Sequence, residues 1–281
     1  MLNRVGLILK MIKIEHTVFA LPFACMGAFL AARGWPTSRQ FFWILVAMVG
    51  IRSAAMAFNR LVDAKLDAAN QRTRMREIPR GVLKKSEVWV FVAASAVVFV
   101  LAAYQLNRLC FILSPVALAF TFFYSYTKRF TWLSHLILGG AIGLAPIGGW
   151  VAVAGSFHPI AFLLGAAVLF WIAGFDIVYG CQDYEFDCNY MLKSIPQRWG
   201  IARALRISEL CHLITFALLV TVGVMASLGL VYYIGLVLIL AFLVVQHLIV
   251  SPEDLSRVNV SFFTMNGLVS LVIFVATLFS L

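Results

Sequence analysis

The stretch FTWLSHLILGGAIGLAPIGGWVAVAGSFHPIAFLLGAAVLFWIAGF, residues 130–175, contains no Lys, Arg, Asp or Glu. A helix that crosses a bilayer needs about 20 consecutive, predominantly apolar residues. The stretch is therefore long enough for two crossings, and the polar segment 155–159 (GSFHP) predicts a turn between them. A soluble globular domain is excluded as the fold class.

The rest of the chain has the same character. Hydrophobic residues make up 63% of the 281 residues, charged residues only 12%, and the mean hydropathy is +0.96, whereas soluble domains carry about 25% charged residues. We predict an all-α polytopic membrane protein, with about nine transmembrane helices in one bundle around a central cavity and a single domain over 1–281. Polar interruptions divide the chain into nine predicted spans: 14–32, 40–62, 86–106, 109–127, 132–152, 159–179, 207–227, 231–250 and 260–281.

The positive charges predict the orientation. With the N-terminus in the cytoplasm, all but four of the 22 Lys and Arg residues lie on the cytoplasmic side, as the positive-inside rule requires. Arg33, Arg39 and Arg108 would lie outside, and Arg52 lies within a span. The net charge of +10 is thereby explained by topology, so we expect no nucleic-acid partner. The five cysteines form no CxxC pair and predict neither disulfides nor a zinc site.

Two acidic clusters interrupt this apolar chain on the predicted cytoplasmic face. The first follows the second span, where Asn59, Asp63 and Asp67 are spaced four residues apart. Residues four apart share one face of a helix, so the oxygens of this cluster would line up on one side. Unpaired like charges at this spacing destabilise a helix, which predicts a cation beside them.

The second cluster repeats this spacing at the end of the sixth span. Tyr179, Asp183 and Asp187 are again four residues apart, and Asp176 precedes them. Facing rows of oxygens suit a hard divalent ion, and Mg²⁺ typically combines one or two carboxylates with substrate phosphates and water. We therefore predict a magnesium site whose ligands are Asn59, Asp63, Asp67, Asp183 and Asp187.

Basic residues accompany both clusters. Arg72, Arg74 and Arg76 follow the first cluster, Lys193 follows the second, and Arg52 lies two helical turns deeper than Asn59. A metal that bridges carboxylate to phosphate, with guanidinium groups on the remaining oxygens, is the chemistry of a diphosphate site. At the mouth of a membrane bundle, the substrate would be a diphosphate with a lipid tail. Each cluster alone could instead be a solvated helix end with local salt bridges, but the agreement between the two favours a site.

These residues resemble the motifs of a known family, the UbiA superfamily of intramembrane aromatic prenyltransferases. The first cluster is similar to that family's R-x6-N-D-x2-D-x3-D, followed by R-T-x2-R-P-x-P-x-G. Arg60 stands here where the family often has Asp, and Glu77 stands where it usually has Pro. The segment 13–24 (KIEHTVFALPFA) looks more like a branch linked to menaquinone formation. The matching residues are Arg52, Asn59, Asp63, Asp67, Arg72, Thr73, Arg76, Pro79 and Gly81.

The second cluster resembles the family's other motif, D-x2-Y-x3-D-x3-D followed by Lys-Ser. Between the two, residues 124–129 (YSYTKR) are similar to the family's Y-P-x2-K-R. The match covers most of the chain in the right order, and the predicted nine spans are the number that the family has. The residues that match the second motif are Asp176, Tyr179, Asp183, Asp187, Lys193 and Ser194.

The resemblance implies Mg²⁺-dependent transfer of a polyprenyl group from its diphosphate to a ring carbon of a hydroxylated aromatic acid. The acceptor would be 4-hydroxybenzoate or a dihydroxynaphthoate, in ubiquinone or menaquinone biosynthesis at a bacterial inner membrane. It also implies the following roles: metal ligands Asn59, Asp63, Asp67, Asp183 and Asp187; substrate contacts Arg52, Asn59, Arg72, Arg76, Lys128 and Lys193; tyrosines that stabilise an allylic cation, Tyr124 and Tyr179; and Asp176 to position the acceptor or take its ring proton.

A second hypothesis is a secondary transporter or ion channel that uses the two acidic clusters as an ion path. Transporters place their binding groups near the bilayer midplane. The acids of this chain lie at predicted helix ends beside basic loops, which favours the prenyltransferase.

Overall fold

The computed structural model describes residues 2–12 and 17–281, and over these residues the protein is all helical. The helices are α1 Leu2–Met11, α2 Thr17–Ala32, α3 Ser38–Val62, α4 Ala64–Ala69, α5 Lys85–Leu106, α6 Arg108–Thr127, α7 Ser134–Ala154, α8 Pro159–Gly180, α9 Tyr184–Asn189, α10 Ile195–Trp199, α11 Ile201–Met225, α12 Leu230–Leu248, α13 Val258–Val260 and α14 Asn266–Leu278. A 3₁₀ turn, Cys181–Asp183, joins α8 to α9, and a π turn, Ser261–Met265, joins α13 to α14.

Seven of the described helices are long and apolar enough to cross a membrane. They are α3, α5, α6, α7, α8 with its continuation to Asn189, α11 and α12. Two shorter apolar helices, Leu21–Ala32 and Asn266–Leu278, coincide with the first and ninth predicted spans, although residues 14–16 of the first lie outside the described residues. The prediction of an all-α polytopic membrane protein is confirmed, and the count of nine crossings remains a prediction.

Polar residues at the predicted interruptions begin the long helices. Thr37 and Gln40 form a capping box at the start of α3, which satisfies backbone N–H groups that have no partner within the helix. The Asn107 side chain accepts a hydrogen bond from the backbone of Cys110 and starts α6. Pro159 occupies the first position of α8, where its missing N–H is not needed.

The apolar helices form two neighbouring groups that share α2 and α7. In one group, α7 packs on α8, α8 on α11, α12 on α14, and α14 returns to α2. Its centre is filled by large side chains, among them Phe23, Leu164, Trp171, Tyr232 and Ile273. In the other group, α3 packs on α5, α5 on α6, and α6 on α7. This second group, together with α8, encloses the cavity.

Glycines allow α7 to touch both of its neighbours. A Cβ atom on Gly149 would lie 2.1 Å from the carbonyl oxygen of Ala24 in α2, and one on Gly139 would lie 2.2 Å from that of Leu169 in α8. Both distances are far below van der Waals contact, so only glycine permits these backbone approaches. Small residues at helix interfaces have this role in membranes, where burial of apolar surface supplies little driving force.

We expect Gly149→Ala to lower the free energy of unfolding by about 1–3 kcal/mol, because the new methyl group must push α2 and α7 apart. Thermal unfolding in detergent, followed by circular dichroism, measures the change. Gly148→Ala is the matched control, since a Cβ atom there meets nothing within 4 Å and alanine favours a helix by up to about 1 kcal/mol. Equal melting temperatures for the two variants would contradict the packing argument.

Candidate active site

A cavity of about 460 Å³ lies between α3, α5, α6, α7 and α8. Its deeper wall is apolar and includes Met48, Phe99, Leu113 and Ile142. Its other end carries the two acidic clusters and the cations beside them. The cavity therefore has the shape of an amphipathic site, with a charged mouth and an apolar interior.

The first cluster lies where α3 ends. Asp63 separates α3 from α4, and its Oδ2 accepts a hydrogen bond of 2.9 Å from Asn59 Nδ2. Arg129 Nη2 binds the other oxygen of Asp63 at 2.8 Å. On α4, Asp67 is buried, and its Oδ1 lies 2.6 Å from Arg76 Nη1. The second oxygen of Asp67 is buried and has no hydrogen-bond partner among the described residues.

The loop after α4 connects the first cluster to the second. Arg72 donates to both oxygens of Asp183, at 3.0 and 2.5 Å, and to the hydroxyl of Tyr179 at 2.8 Å. Asn70 donates to the same Asp183 at 3.0 Å, and its own side-chain oxygen accepts from the backbone N–H of Arg72. Asn70 therefore orients both members of the ion pair, although it was not among the predicted site residues.

The second cluster lies on the continuation of α8. The carboxylate of Asp187 is almost fully buried, and Ser194 Oγ donates to it at 2.7 Å. Lys128 Nζ lies 3.2 Å from the same carboxylate. Ser194 also caps α10 through the backbone N–H of Gln197. The segment after the cluster thereby holds Asp187 in a fixed orientation.

Electrostatics keep the cations of the site charged. Burial alone would lower the pKa of Lys128, but the charge of Asp187, with Asp183 behind it, raises this pKa above its usual value. Burial likewise opposes the charge on Arg72, and its hydrogen bonds to Asp183 outweigh that effect and raise its pKa. Burial has the largest effect on Asp63 and raises its pKa above the usual value, and the nearby charge of Arg129 offsets this rise only in part.

Each of the four clustered aspartates is thus paired with one cation. The pairs are Asp63 with Arg129, Asp67 with Arg76, Asp183 with Arg72, and Asp187 with Lys128. The spacing of the aspartates predicted a cation beside them, and for each aspartate the structure shows an arginine or lysine side chain in that place. Over residues 2–12 and 17–281, no three acidic, histidine or cysteine side chains are close enough together to hold a metal by themselves.

A further pair lies deeper in the wall. His135 Nδ1 lies 2.7 Å from Asp176 Oδ2, and both residues line the cavity. The His135 side chain is only 2% exposed. His135 was not among the predicted site residues, because a single histidine in an apolar span gives no indication that it pairs with a residue on another helix.

The structure brings together all but one of the predicted site residues. Lys193 is exposed and lies in a separate surface depression beside Trp132 and Arg198, although its backbone N–H binds the carbonyl oxygen of Lys128 at 2.7 Å. The diphosphate contact predicted for its side chain finds no support in this placement. The predicted residues that line the cavity are Arg52, Asn59, Asp63, Asp67, Arg72, Arg76, Tyr124, Lys128, Asp176, Tyr179, Asp183 and Asp187.

Comparison with known proteins identifies the family. Residues 20–268 match the model of the UbiA prenyltransferase family. The chain belongs to this family. The match spans most of the sequence, including both acidic clusters, and the prediction of a prenyltransferase of this family is confirmed.

Individual family members show the same likeness. The chain is 29% identical to a 4-hydroxybenzoate octaprenyltransferase from Nitrosomonas eutropha, over 90% of this chain and 87% of the relative. It is 34% identical to the apo structure of a UbiA homolog from Aeropyrum pernix, with a TM-score of 0.86 over 94% of this chain and 97% of that one. A UbiA homolog from Archaeoglobus fulgidus, solved with GPP and Mg²⁺, shares the fold at 23% identity, with a TM-score of 0.70 over 95% and 99% of the two chains.

We expect Arg72 and Asp183 to be energetically coupled in this UbiA family member, because their bond joins the two clusters. A double-mutant cycle with Arg72→Gln and Asp183→Asn, read out by thermal unfolding in detergent, should give a coupling of about 0.5–3 kcal/mol. Arg74→Gln is the control: Arg74 is exposed on the same loop and should show no coupling to Asp183. Additive effects of the two site variants would contradict a direct bond.

Proposed function

We propose that this UbiA family protein transfers a polyprenyl group from polyprenyl diphosphate to a ring carbon of a hydroxylated aromatic acid. The observation that carries the proposal is the cavity, in which two acidic clusters and their cations lie at the mouth of an apolar interior. A prenyl diphosphate has the same division into a charged head and an apolar tail. The name of the Nitrosomonas relative supports 4-hydroxybenzoate as acceptor, and a dihydroxynaphthoate is the alternative that the sequence at 13–24 favours.

The residues present fit Mg²⁺ as the cofactor. Their donor set consists of carboxylate and amide oxygens, which suit this ion, and the buried Oδ2 of Asp67 has no partner among the described residues. When bound with the diphosphate, Mg²⁺ supplies positive charge against the negative charge that grows on the leaving group. The residues that would hold it are Asn59, Asp63, Asp67, Asp183 and Asp187.

The cations of the mouth bind the diphosphate. Arg72, Arg76 and Lys128 each line the cavity while paired with an aspartate. A phosphate oxygen can share or replace the carboxylate oxygen in such a pair, since guanidinium groups bind both with the same geometry. When the prenyl diphosphate binds, ion pairs between cation and phosphate therefore replace ion pairs between cation and aspartate, and few buried charges are left unpaired.

Aromatic rings lie next to the place where the allylic carbon would become positive. Tyr124 and Tyr179 line the cavity, and the guanidinium carbon of Arg72 lies 5.0 Å from the ring centroid of Tyr179. This contact holds the ring beside a group that binds the diphosphate. An electron-rich ring attracts a nearby carbocation, and the surrounding helices keep water from it.

The acceptor must lose a ring proton after its carbon attacks the prenyl group. Asp176 is the carboxylate that we assign to this step, because it lines the cavity and is 23% exposed there. The hydrogen bond from His135 to Oδ2 fixes the orientation of the carboxylate. Asp176 thus takes the proton or orients the hydroxylated ring, and His135 is a positioning residue.

We also propose that the whole chain forms one domain in a bacterial inner membrane, with the charged mouth facing the cytoplasm. The distribution of Lys and Arg supports this orientation. Both substrates would then enter from the side on which aromatic acids and diphosphates are made.

We expect the purified protein in detergent, given Mg²⁺ and geranyl diphosphate, to prenylate 4-hydroxybenzoate or a dihydroxynaphthoate offered in parallel. Mass spectrometry of the product identifies the acceptor. Asp63→Ala and Asp183→Ala should each lower the rate by at least about 100-fold, since each removes a carboxylate that would hold the Mg²⁺ that neutralises the diphosphate. Asp254→Ala is the matched control, because Asp254 is an exposed acid on another loop.

The outcomes separate acceptor from reaction. Diphosphate binding without product from either acid would overturn the choice of acceptor. Loss of activity in Asp254→Ala to the same degree as in Asp63→Ala would show that the loss does not report on the site.

The Mg²⁺ requirement should depend on pH. A carboxylate must be deprotonated to hold a metal, and burial raises the pKa of Asp63 above its usual value. The Mg²⁺ concentration for half-maximal rate should therefore rise as the pH falls from about 7.5 to about 5, by up to about tenfold per unit once the pH is below that pKa. Magnesium titrations at several pH values measure this. A constant Mg²⁺ requirement over the range would contradict it.

A further inference from the structure

Arg60 is a buried cation in the wall of the cavity. It lies on α3 one residue after Asn59 and three before Asp63, lines the cavity, and is only 7% exposed. Buried arginines normally face a carboxylate. Over residues 2–12 and 17–281, no carboxylate lies within ion-pairing distance of Arg60, because none of the ion pairs there includes it.

The hydrogen bonds of Arg60 leave most of its donors unused. Its one hydrogen bond to a described residue runs from Nε to the carbonyl oxygen of Met11 over 3.5 Å, which is beyond the usual range. A guanidinium carries five N–H donors, so the four on the two Nη atoms have no partner in the part of the chain that the structure describes. Arg72, Arg76 and Lys128, by contrast, each bind an aspartate.

We propose that Arg60 binds phosphate oxygens of the prenyl diphosphate through its two Nη groups. The inference rests on the proposed function and adds a residue to its donor site. Arg60 lies within one helical turn of Asp63, at the charged end of the cavity, where the diphosphate head would lie. The charges of Asp63, Asp67 and Glu77 act on Arg60, but its two Nη groups bind none of the described residues, so they offer a bidentate fork to an incoming phosphate. The prenyl diphosphate would therefore bind cavity-lining N–H groups that have no partner among the residues the structure describes.

The competing explanation is structural. Met11 is the last residue of α1, and a cation near the carbonyl end of a helix stabilises it. A residue that only caps α1 would contribute to stability and not to diphosphate binding. A third possibility is that Arg60 reads the carboxylate of the aromatic acceptor. The three explanations predict different measurements.

The test is calorimetric titration of the purified full-length protein with inorganic diphosphate in the presence of Mg²⁺, which requires no turnover. We expect Arg60→Gln to raise the Kd about 10- to 100-fold, the effect of losing hydrogen bonds to a charged group. Arg60→Lys, which keeps the charge and loses the fork, should give an intermediate Kd. Arg74→Gln removes the same charge from the exposed loop nearby and should change the Kd less than about threefold. In turnover assays, Arg60→Gln should raise the KM of geranyl diphosphate and leave the KM of the acceptor unchanged.

Three results would overturn the inference. An unchanged Kd in Arg60→Gln with a lower melting temperature would make Arg60 a cap of α1. An unchanged Kd with a higher KM for the acceptor would assign it to the acceptor carboxylate. An equal rise in Kd for Arg74→Gln would show that the weaker diphosphate binding of Arg60→Gln comes from the loss of one positive charge and not from the loss of a direct contact. Failure of the wild-type protein to bind diphosphate, or binding that Asp63→Ala does not alter, would instead overturn the proposed function.

Discussion

The structure depends on one constraint: in lipid, the backbone N–H and C=O groups find no water and must form hydrogen bonds within the protein. Every long apolar segment is therefore a helix. Most of the charges of the site lie at helix ends and in the loops beside them, because a charge inside the bilayer is costly, and Arg52 and Asp176 are the exceptions within α3 and α8. The two acidic clusters satisfy this constraint at the same end of the bundle, on the extensions of α3 and α8. A charged site at the mouth of an apolar cavity is the direct result.

Side-chain size decides which group of helices is hollow. Between α8, α11, α12 and α14, large side chains such as Trp171 and Tyr232 meet and fill the centre. Facing the cavity, α3, α6 and α7 present small residues that include Ala47, Ala117 and Ala145. The glycine contacts of α7 with α2 and α8 pack these three helices closely together. This packing stabilises the bundle while the cavity beside it stays open.

The charges at the mouth are arranged in pairs that a substrate can exchange. Four aspartates each face one arginine or lysine, which limits the cost of burying so many charges. A diphosphate brings its own negative charge and Mg²⁺ brings positive charge, so the bound state can be balanced as well. Among the described residues at the mouth, the Oδ2 of Asp67 has no hydrogen-bond partner and the guanidinium of Arg60 has no ion-pair partner, and both residues lie at the first cluster.

The sequence by itself determined the class of fold and the approximate place of the spans, and it singled out twelve residues that the structure places around one cavity. These follow from local rules: the length of an apolar segment decides whether it forms a membrane helix, and a spacing of four residues decides which side chains share one face of that helix.

The sequence could not predict the partners of those residues. Arg72 and Asp183 are 111 residues apart, and His135 and Asp176 lie on different helices, so only packing brings them together. Lys193 lies in an irregular segment, in which Leu192 and Ser194 are buried and Lys193 is exposed. Its motif position could not reveal that direction, because backbone conformation outside a helix is decided by tertiary contacts, here the bonds of Ser194 to Asp187 and of the Lys193 backbone to Lys128.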